Sequence, residues 1–162
     1  MNVTLSERAA AAGDGDFLFH LYASTRADEL AVAGWPAAQL ESFLRMQFHA
    51  RRQSYESIYP EAKQTILLSD GVAAGAAIVC HGSEEIRLVD IALLPEFRHR
   101  GLGTLWIGRL IQQARTADRP LRLSVLRGNP AERLYQRLGF VPQPSAGSMY
   151  IEMEHHGTDP AQ

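Results

Sequence analysis

The chain has 162 residues, 46% of them hydrophobic, which fits one folded domain with a sizeable core. A formal net charge of −2 argues against broad attraction to nucleic acid or anionic membranes, and no apolar stretch approaches the roughly 18 residues that span a bilayer. A single cysteine, Cys80, excludes an intrachain disulfide and favours a reducing, cytoplasmic location. All but one of the 16 basic residues are arginines, a bias typical of a GC-rich bacterial genome.

The first third of the chain is predicted to be mainly helical. A short strand is expected at residues 2–6, a helix from Asp14 or Asp16 to about Arg26, and a second helix from Pro36 to about Gln53.

Two polar residues of the second helix fall on its apolar face. That face carries Leu40, Phe43, Leu44 and Phe48, and helical spacing adds Gln47 and Arg51 to it. A polar side chain in an apolar stripe needs a partner, a ligand or an opening to solvent. Gln47 is therefore either a structural hydrogen-bonding residue or a contact to substrate.

The remaining elements alternate between strands and helices. Strands are expected at 65–68, 72–79, 85–94, 121–126, 139–142 and 148–153, with helices at 101–115 and 130–138. Hairpins and crossovers both occur, so the fold class is α/β with a mixed sheet. We expect a single domain over residues 1–154 and a polar, solvated tail over 155–162, in which His155 and His156 do not form a metal site.

A glycine-rich turn lies between the 85–94 strand and the helix that follows it. It has the sequence Arg98-His99-Arg100-Gly101-Leu102-Gly103. Glycines remove the Cβ atoms that would keep backbone amides from a ligand, and a helix N-terminus favours negative charge. The turn therefore suits a phosphate or pyrophosphate group.

Two common phosphate-binding motifs are excluded by the residues themselves. A dinucleotide-binding fingerprint needs a third glycine where this chain has Trp106, and a P-loop needs a lysine, whereas Lys63 lies far from the turn.

A second motif follows in the last third of the chain. Asn129 and Pro130 are suited to begin a helix, and Tyr135 lies six residues after Asn129, before Gly139 and Phe140. A purely structural role would account for Asn129 and Pro130, and Tyr135 could equally be a core residue beside Leu134 and Leu138.

Taken together, the two motifs resemble the GNAT superfamily of acetyl-coenzyme A-dependent N-acetyltransferases. The resemblance is closest from Asp90 to Phe140 and loose over residues 1–60. It implies a mostly antiparallel mixed sheet with a splayed central strand pair, flanked by helices. It also implies no metal, and it is compatible with a homodimer.

The resemblance further implies which residues bind acetyl-coenzyme A. The pyrophosphate would contact the turn, the pantetheine arm would pair with the main chain of the splayed strand, and Asn129 would contact the coenzyme. The implied residues are Ile91, Leu93, Arg98, His99, Arg100, Gly101, Leu102, Gly103, Thr104 and Asn129.

In such enzymes the acetyl group passes directly to an amine. Tyr135 would protonate or hydrogen-bond the departing thiolate, since a tyrosine with its ordinary pKa near 10 is protonated at neutral pH. Where some family members have a glutamate, this chain has Arg87, and the nearest carboxylates are Glu85 and Asp90. Asp90 alternates with Leu88 and Ala92, which would bury it and raise its pKa. It is either a general base or a structural carboxylate, and deprotonation through water needs neither.

The acceptor is less defined by the sequence. A primary amine of a small molecule is expected, with a protein N-terminus or lysine as the second choice, and no nucleic acid or membrane partner. Gln47, Arg51 and Tyr55 are the candidate acceptor contacts, because arginines and tyrosines there could recognise a carboxylate, whereas acidic residues such as Asp28 and Glu56 could attract an amine. The alternative is a non-catalytic sensor or scaffold that binds acyl-coenzyme A.

Overall fold

A computed structural model of the chain describes residues 3–144 and 147–156. Within these residues, seven strands form one sheet in the order β1-β2-β3-β4-β5-β7-β6. The strands are β1 Leu5–Ala9, β2 Lys63–Ser69, β3 Val72–His81, β4 Ile86–Leu93, β5 Leu121–Leu126, β6 Val141–Pro142 and β7 Tyr150–His155. The helices are α1 Gly15–Ala31, α2 Ala37–Ile58, α3 Leu102–Thr116 and α4 Ala131–Arg137.

The pairing of the strands makes the sheet mixed, as the sequence predicts. β1 and β2 pair antiparallel, β7 pairs antiparallel with β5 and with β6, and β4 pairs parallel with β5. The parallel pairing joins residues 86–88 to residues 121–123, the first halves of the two strands. A pairing limited to the strand beginnings is the pattern that a splayed central pair would show.

Contacts divide the chain into two compact units, Met1–Ile78 with Asp90–Arg100, and Val79–Val89 with Gly101–Gln162. The sequence-based expectation of a single domain is not decided by this division and stays a prediction.

The first unit contains β1, β2, α1 and α2. Its core cluster joins Leu18 and Leu21 of α1 to Ile66, Ala76 and Leu94, all less than 10% exposed. The α2 ring of Phe48 contacts the α1 rings of Phe19 and Tyr22, each at a centroid distance of 5.8 Å. Burial of these apolar groups fixes the two helices within the unit.

The second unit is built around α3 and β5. Helical spacing predicts a buried stripe of Gly103, Ile107, Leu110 and Ala114 on α3. Ile107, Leu110 and Ala114 are at most 3% exposed, and Gly103 is partly buried. In the sheet, Leu121 and Leu123 of β5 are buried, and Leu123 lies opposite the buried Met153 of β7.

Ion pairs connect five charged side chains on one face of the second unit's sheet. We call these five residues the ionic face: Glu85, Arg87, Arg122, Glu152 and Glu154. Arg87 contacts Glu152 and, through Nε, Glu85 at 3.3 Å. Arg122 lies opposite Glu154 in the β5–β7 register, and their side chains approach to 3.2 Å. Each arginine is therefore shared between carboxylates, because Arg122 also reaches Glu85 at 3.8 Å.

Several element boundaries differ from the prediction. β1 begins at Leu5 rather than at residue 2, because its antiparallel pairing with β2 runs from Leu5 opposite Ser69 to Ala9 opposite Thr65. α1 and α2 continue past Arg26 and Gln53 to Ala31 and Ile58, since neither glycine nor proline interrupts them there.

The expected tail is also corrected at its start. His155 is not part of a solvated tail, since it ends β7 and is only 3% exposed. Residues 157–162, and residues 145–146 between the strands predicted at 139–142 and 148–153, lie outside the described part of the chain. Among the residues that are described, no helix combines the length and apolar character needed to cross a membrane.

Candidate active site

The turn before α3 has the backbone conformation of an anion-binding loop. His99 and Gly101 both have positive φ, 62° and 80°. Glycine adopts this left-handed region without strain, whereas the side chain of His99 makes it costly there. A Cβ built on Gly101 would meet no heavy atom within 4 Å, so the space beside this residue is open to a ligand.

The first turn of α3 presents amides without helical acceptors. The Leu105 amide donates to the Gly101 carbonyl at 3.0 Å, and the amides of Leu102, Gly103 and Thr104 precede that bond. Gly101 occupies the capping position and supplies no side-chain acceptor. Together with the helix dipole, these amides form a site suited to a phosphate.

The two arginines of the turn have different surroundings. The Arg98 side chain is half-buried, and its Nε donates to the Leu93 carbonyl at 2.9 Å, which fixes the turn to the end of β4. The exposed Arg100 lies over the Phe97 ring at 5.6 Å. Arg98 therefore has a structural contact that the sequence did not indicate, beside any role toward a phosphate.

Two main-chain groups of β4, at Ile91 and Leu93, already interact with side chains of the protein. The Leu93 carbonyl already accepts the Arg98 bond, and the Ile91 amide stabilises the carboxylate of Asp90. A carbonyl has two lone pairs, so a ligand amide can still bind at Leu93 beside Arg98.

Asn129 caps α4, as its sequence position predicts. Its side-chain Oδ1 accepts the Ala131 amide at 2.9 Å, and its carbonyl accepts the Glu132 amide at 3.0 Å. Pro130 precedes the first residue of the helix. The structural role foreseen for these residues is thus present, and any contact of Asn129 with a coenzyme adds to it.

Tyr135 is the buried residue of α4. It is 7% exposed, and its ring contacts that of Phe140 edge-on at 5.6 Å. Phe140 in turn contacts the His155 ring at 5.3 Å. Burial lowers the pKa of His155, so this aromatic stack favours a neutral imidazole. The stack holds the Tyr135 ring in one orientation.

A cluster of charged and aromatic side chains lies in the first unit; we call Tyr22, Arg51, Tyr55 and Asp90 the Arg51 cluster. Arg51 of α2 donates from Nη2 to Asp90 Oδ1 at 2.8 Å and from Nε to the Tyr55 hydroxyl at 3.0 Å. Its guanidinium lies 5.4 Å from the Tyr22 ring and 5.3 Å from the Tyr55 ring. Tyr22 is held by Arg26, whose Nη1 donates to its hydroxyl at 3.0 Å.

The electrostatics of the cluster follow from its partial burial. Burial raises the pKa of the Asp90 carboxyl, while Arg51 and the Ile91 amide oppose the rise. Burial lowers the pKa of Arg51, but Asp90 and Tyr55 outweigh it, and the net shift is upward. The direction predicted for Asp90 is confirmed, and the ion pair with Arg51 was not foreseen.

The Arg51 cluster lines a small cavity of about 50 Å³. Arg51, Tyr55 and Asp90 take part in its wall, so two of the three candidate acceptor residues meet the candidate base there. Gln47 is half-buried one turn earlier and is not among the lining residues described. The other residues lining the cavity are Leu18, Leu21, Tyr22, Thr25, Phe48, Arg52, Gln64, Ala76, Ile78 and Ala92.

A larger cleft of about 310 Å³ shares part of this wall. Leu18, Arg52 and Gln64 line both spaces. The cleft is otherwise bounded by Ala10, Ala11, Ala12 and Gly15, which have small side chains or none.

The other two residues considered near the reaction centre belong elsewhere. Glu85 and Arg87 are part of the ionic face, where Arg87 contacts Glu85 and Glu152. Asp90 is therefore the carboxylate that lines the small cavity. No group of three metal-binding side chains is found in the described residues 3–144 and 147–156.

Sequence reasoning missed Tyr22 and Arg26 as parts of this region. Helical spacing predicts Tyr22 on the apolar side of α1 together with Leu18 and Leu21, and its exposure of 8% agrees with that. Its contact with Arg51 joins residues 29 positions apart in the chain, and no local pattern marks such a contact.

Comparison with known proteins places the chain among acetyltransferases. Residues 25–140 match the model of the acetyltransferase (GNAT) family. A ribosomal protein bS18-alanine N-acetyltransferase of Haemophilus influenzae is 33% identical over 91 residues, which cover 50% of this chain and 62% of that protein. The chain thus matches less than two thirds of this curated relative.

Solved structures share the fold at low sequence identity. The PaiA N-acetyltransferase of Thermoplasma acidophilum in complex with coenzyme A superposes with a TM-score of 0.68 at 18% identity, covering 94% of this chain and 99% of that one. An acetyltransferase of Thermus thermophilus gives 0.68 at 19% identity, covering 94% and 96%. The ribosomal-protein-S18-alanine N-acetyltransferase of Escherichia coli gives 0.59 at 18% identity, covering 93% and 91%.

Proposed function

Because this chain belongs to the acetyltransferase (GNAT) family, we propose that it transfers an acetyl group directly from acetyl-coenzyme A to a primary amine, with both substrates bound together. The observation that carries the proposal is the turn before α3. Gly101 has φ of 80° with open space beside it, and the α3 amides that follow have no side-chain cap at Gly101. Such a turn fits the diphosphate of coenzyme A.

The coenzyme would contact main chain more than side chains. The amides from His99 to Thr104 would bind the diphosphate, with Arg98 and Arg100 adding positive charge. The pantetheine arm, which is rich in amides, would pair with the β4 main chain at Ile91 and Leu93, and Asn129 would make a further contact.

The reaction needs no protein nucleophile. The acceptor nitrogen forms a bond to the acetyl carbonyl carbon, the carbon–sulfur bond breaks, and the sulfur leaves with the electron pair. The Tyr135 hydroxyl gives the departing thiolate a proton, and the proton lost by the new amide nitrogen restores the tyrosine. Backbone amides near the thioester oxygen would stabilise the charge that develops there.

The acceptor must first lose the proton of its ammonium form. Asp90 is suited to receive it, because partial burial raises the pKa of its carboxyl toward the range of a useful base. Its bond to Arg51 holds the carboxylate in place at the wall of the small cavity.

A small-molecule amine is the acceptor that we favour. The small cavity of about 50 Å³ admits only a group of a few atoms. A second candidate is the N-terminal amine of a protein, which the 33% identity to a ribosomal protein alanine N-acetyltransferase favours.

An assay of thiol release separates the enzyme from a non-catalytic acyl-coenzyme A sensor. The protein is incubated with acetyl-coenzyme A and a panel of amino acids, simple amines, polyamines and alanine-terminated peptides, and liberated coenzyme A thiol is followed. We expect acceptor-dependent release with at least one class. Tight coenzyme binding in calorimetry without release across the panel would instead establish the sensor.

A further inference from the structure

We propose that the acceptor is an amine that carries its own carboxylate, as an α-amino acid does, bound with its ammonium group on Asp90 and its carboxylate on Arg51 and Arg52. This inference rests on the proposed function and names the substrate class of its acceptor site. The small cavity lined by these three residues is the observation from which it starts.

The wall of the small cavity carries a net positive charge. The charged residues lining the small cavity are Arg51, Arg52 and Asp90, which sum to one positive charge. A simple amine is itself a cation at neutral pH, so it would enter a site that already repels it. An amine with its own carboxylate adds no net charge, and it supplies an anion to Arg52, for which residues 3–144 and 147–156 provide no ion pair.

Arg51 has hydrogen-bond donors available for a ligand carboxylate. A guanidinium has five N–H donors. Among the described residues, the hydrogen bonds of Arg51 go to Asp90 and Tyr55, from Nη2 and Nε. The remaining donors match the two oxygens of a ligand carboxylate, which arginine binds in a paired geometry.

The charged groups of Arg51 and Asp90 lie close together. Arg51 and Asp90 are in contact at 2.8 Å, so a ligand that binds both must have its own charges close together. An α-amino acid has amine and carboxylate on the same carbon. A polyamine or a lysine side chain has no such neighbouring anion.

The apolar part of the wall points to the rest of the ligand. Leu18, Leu21, Phe48, Ala76 and Ala92 line the same cavity, and they suit a small apolar side chain. A volume of about 50 Å³ limits this side chain to a few atoms.

The test compares amines that differ only in the carboxylate. Acetyl-coenzyme A-dependent thiol release is measured for the proteinogenic amino acids, for their decarboxylated amines, for their amides and for spermidine. A charge-assisted hydrogen bond contributes about 1.5–3 kcal/mol, which corresponds to about 10- to 100-fold in kcat/KM. We therefore expect at least one amino acid to exceed both its amine and its amide by about 10-fold or more.

Arg52 allows the carboxylate contact to be tested without disturbing the Arg51–Asp90 pair. Arg52→Gln should lower kcat/KM for the preferred amino acid by about 10-fold, mainly through KM. The decarboxylated amine should show no loss and should gain, because the variant removes one positive charge that repels a cation. Arg52→Lys, which keeps the charge, should restore part of the loss. Arg45→Gln is the matched control, because Arg45 lies on the same helix, pairs with Glu41 and does not line the cavity.

The outcomes distinguish this inference from the proposed function. Equal or better use of decarboxylated amines, amides or alanine-terminated peptides would overturn the amino-acid acceptor and leave the N-acetyltransferase standing. An Arg52→Gln effect of equal size on amino acid and amine would overturn the assigned carboxylate contact. Absence of thiol release with every amine would overturn the proposed function, and the acceptor class with it.

Discussion

The turn before α3 and the Arg51 cluster are both suited to charged ligands, but they are built in different ways. The turn uses backbone amides that Gly101 leaves without a side-chain cap, within seven consecutive residues, 98–104. The Arg51 cluster uses side chains from three elements, with Arg51 and Asp90 separated by 39 positions. Any sequence that adopts the same backbone conformation could form the turn. The Arg51 cluster, in contrast, depends on the identity of each side chain. Under the proposed function, coenzyme binding would therefore be the more general property, and acceptor choice the more specific one.

The largest effect is expected at Asp90. Asp90→Asn should lower kcat/KM by about 100-fold or more, since a positioned general base contributes about 10²–10⁴-fold. Coenzyme affinity in calorimetry should be unchanged, because the variant alters only the acceptor side. Glu41→Gln should have no effect, because Glu41 is an exposed carboxylate that pairs with Arg45 and does not line the cavity.

The pH dependence of kcat/KM gives a second test of Asp90 as the base. Only ionised Asp90 accepts a proton, so kcat/KM should fall as pH drops through its pKa, which lies above the ordinary value of 3.8. The variant should lack this acidic limb and keep only the limb of the acceptor amine. An unchanged profile would instead support deprotonation through water.

The next effect is expected at Tyr135. Tyr135→Phe keeps the ring in its stack with Phe140 and removes only the hydroxyl. We expect kcat to fall about 100-fold with coenzyme affinity within about two-fold. Full turnover in the variant would show that Tyr135 serves only the core.

A smaller effect is expected at the turn itself. Gly101→Val puts a β-branched side chain at φ of 80°, which costs about 1–2 kcal/mol and should weaken coenzyme binding about 10-fold. Gly108→Ala is the matched control, since its added Cβ also meets nothing within 4 Å. Gly108 lies inside α3, so this change should raise stability by up to about 1 kcal/mol and leave binding intact. Equal coenzyme affinity in both variants would remove the turn from the binding site.

The smallest effect concerns an ion pair outside both regions. Hydrogen bonds from Arg8 and the Ala11 amide lower the pKa of Asp14 from 3.8 to about 2, the opposite direction from Asp90. Its contribution to stability is present above pH 3.8 and is lost as pH falls through about 2. Thermal melts of Asp14→Asn across that range should lose this dependence, and only slightly, because the pair lies at the surface.

These contrasts also explain what the sequence could and could not predict. The turn, the cap at Asn129 and the stripe of α3 depend on neighbouring residues, and their patterns are local. The ends of α1 and α2 were placed too early, since the residues beyond Arg26 and Gln53 contain no helix breaker. The bond between Arg51 and Asp90 depends on how distant segments pack, which no local pattern encodes.

The ionic face constrains which substitutions the chain can accept during evolution. Arg87 and Arg122 are each bound to more than one carboxylate, and Glu154 is only 6% exposed. Loss of Arg87 would take from Glu152 its arginine partner, and loss of Arg122 would do the same to the buried Glu154. Breaking such a pair is more damaging than exchanging both partners for neutral residues. Homologues should therefore differ at these five positions in concerted sets, and single replacements there should be rare.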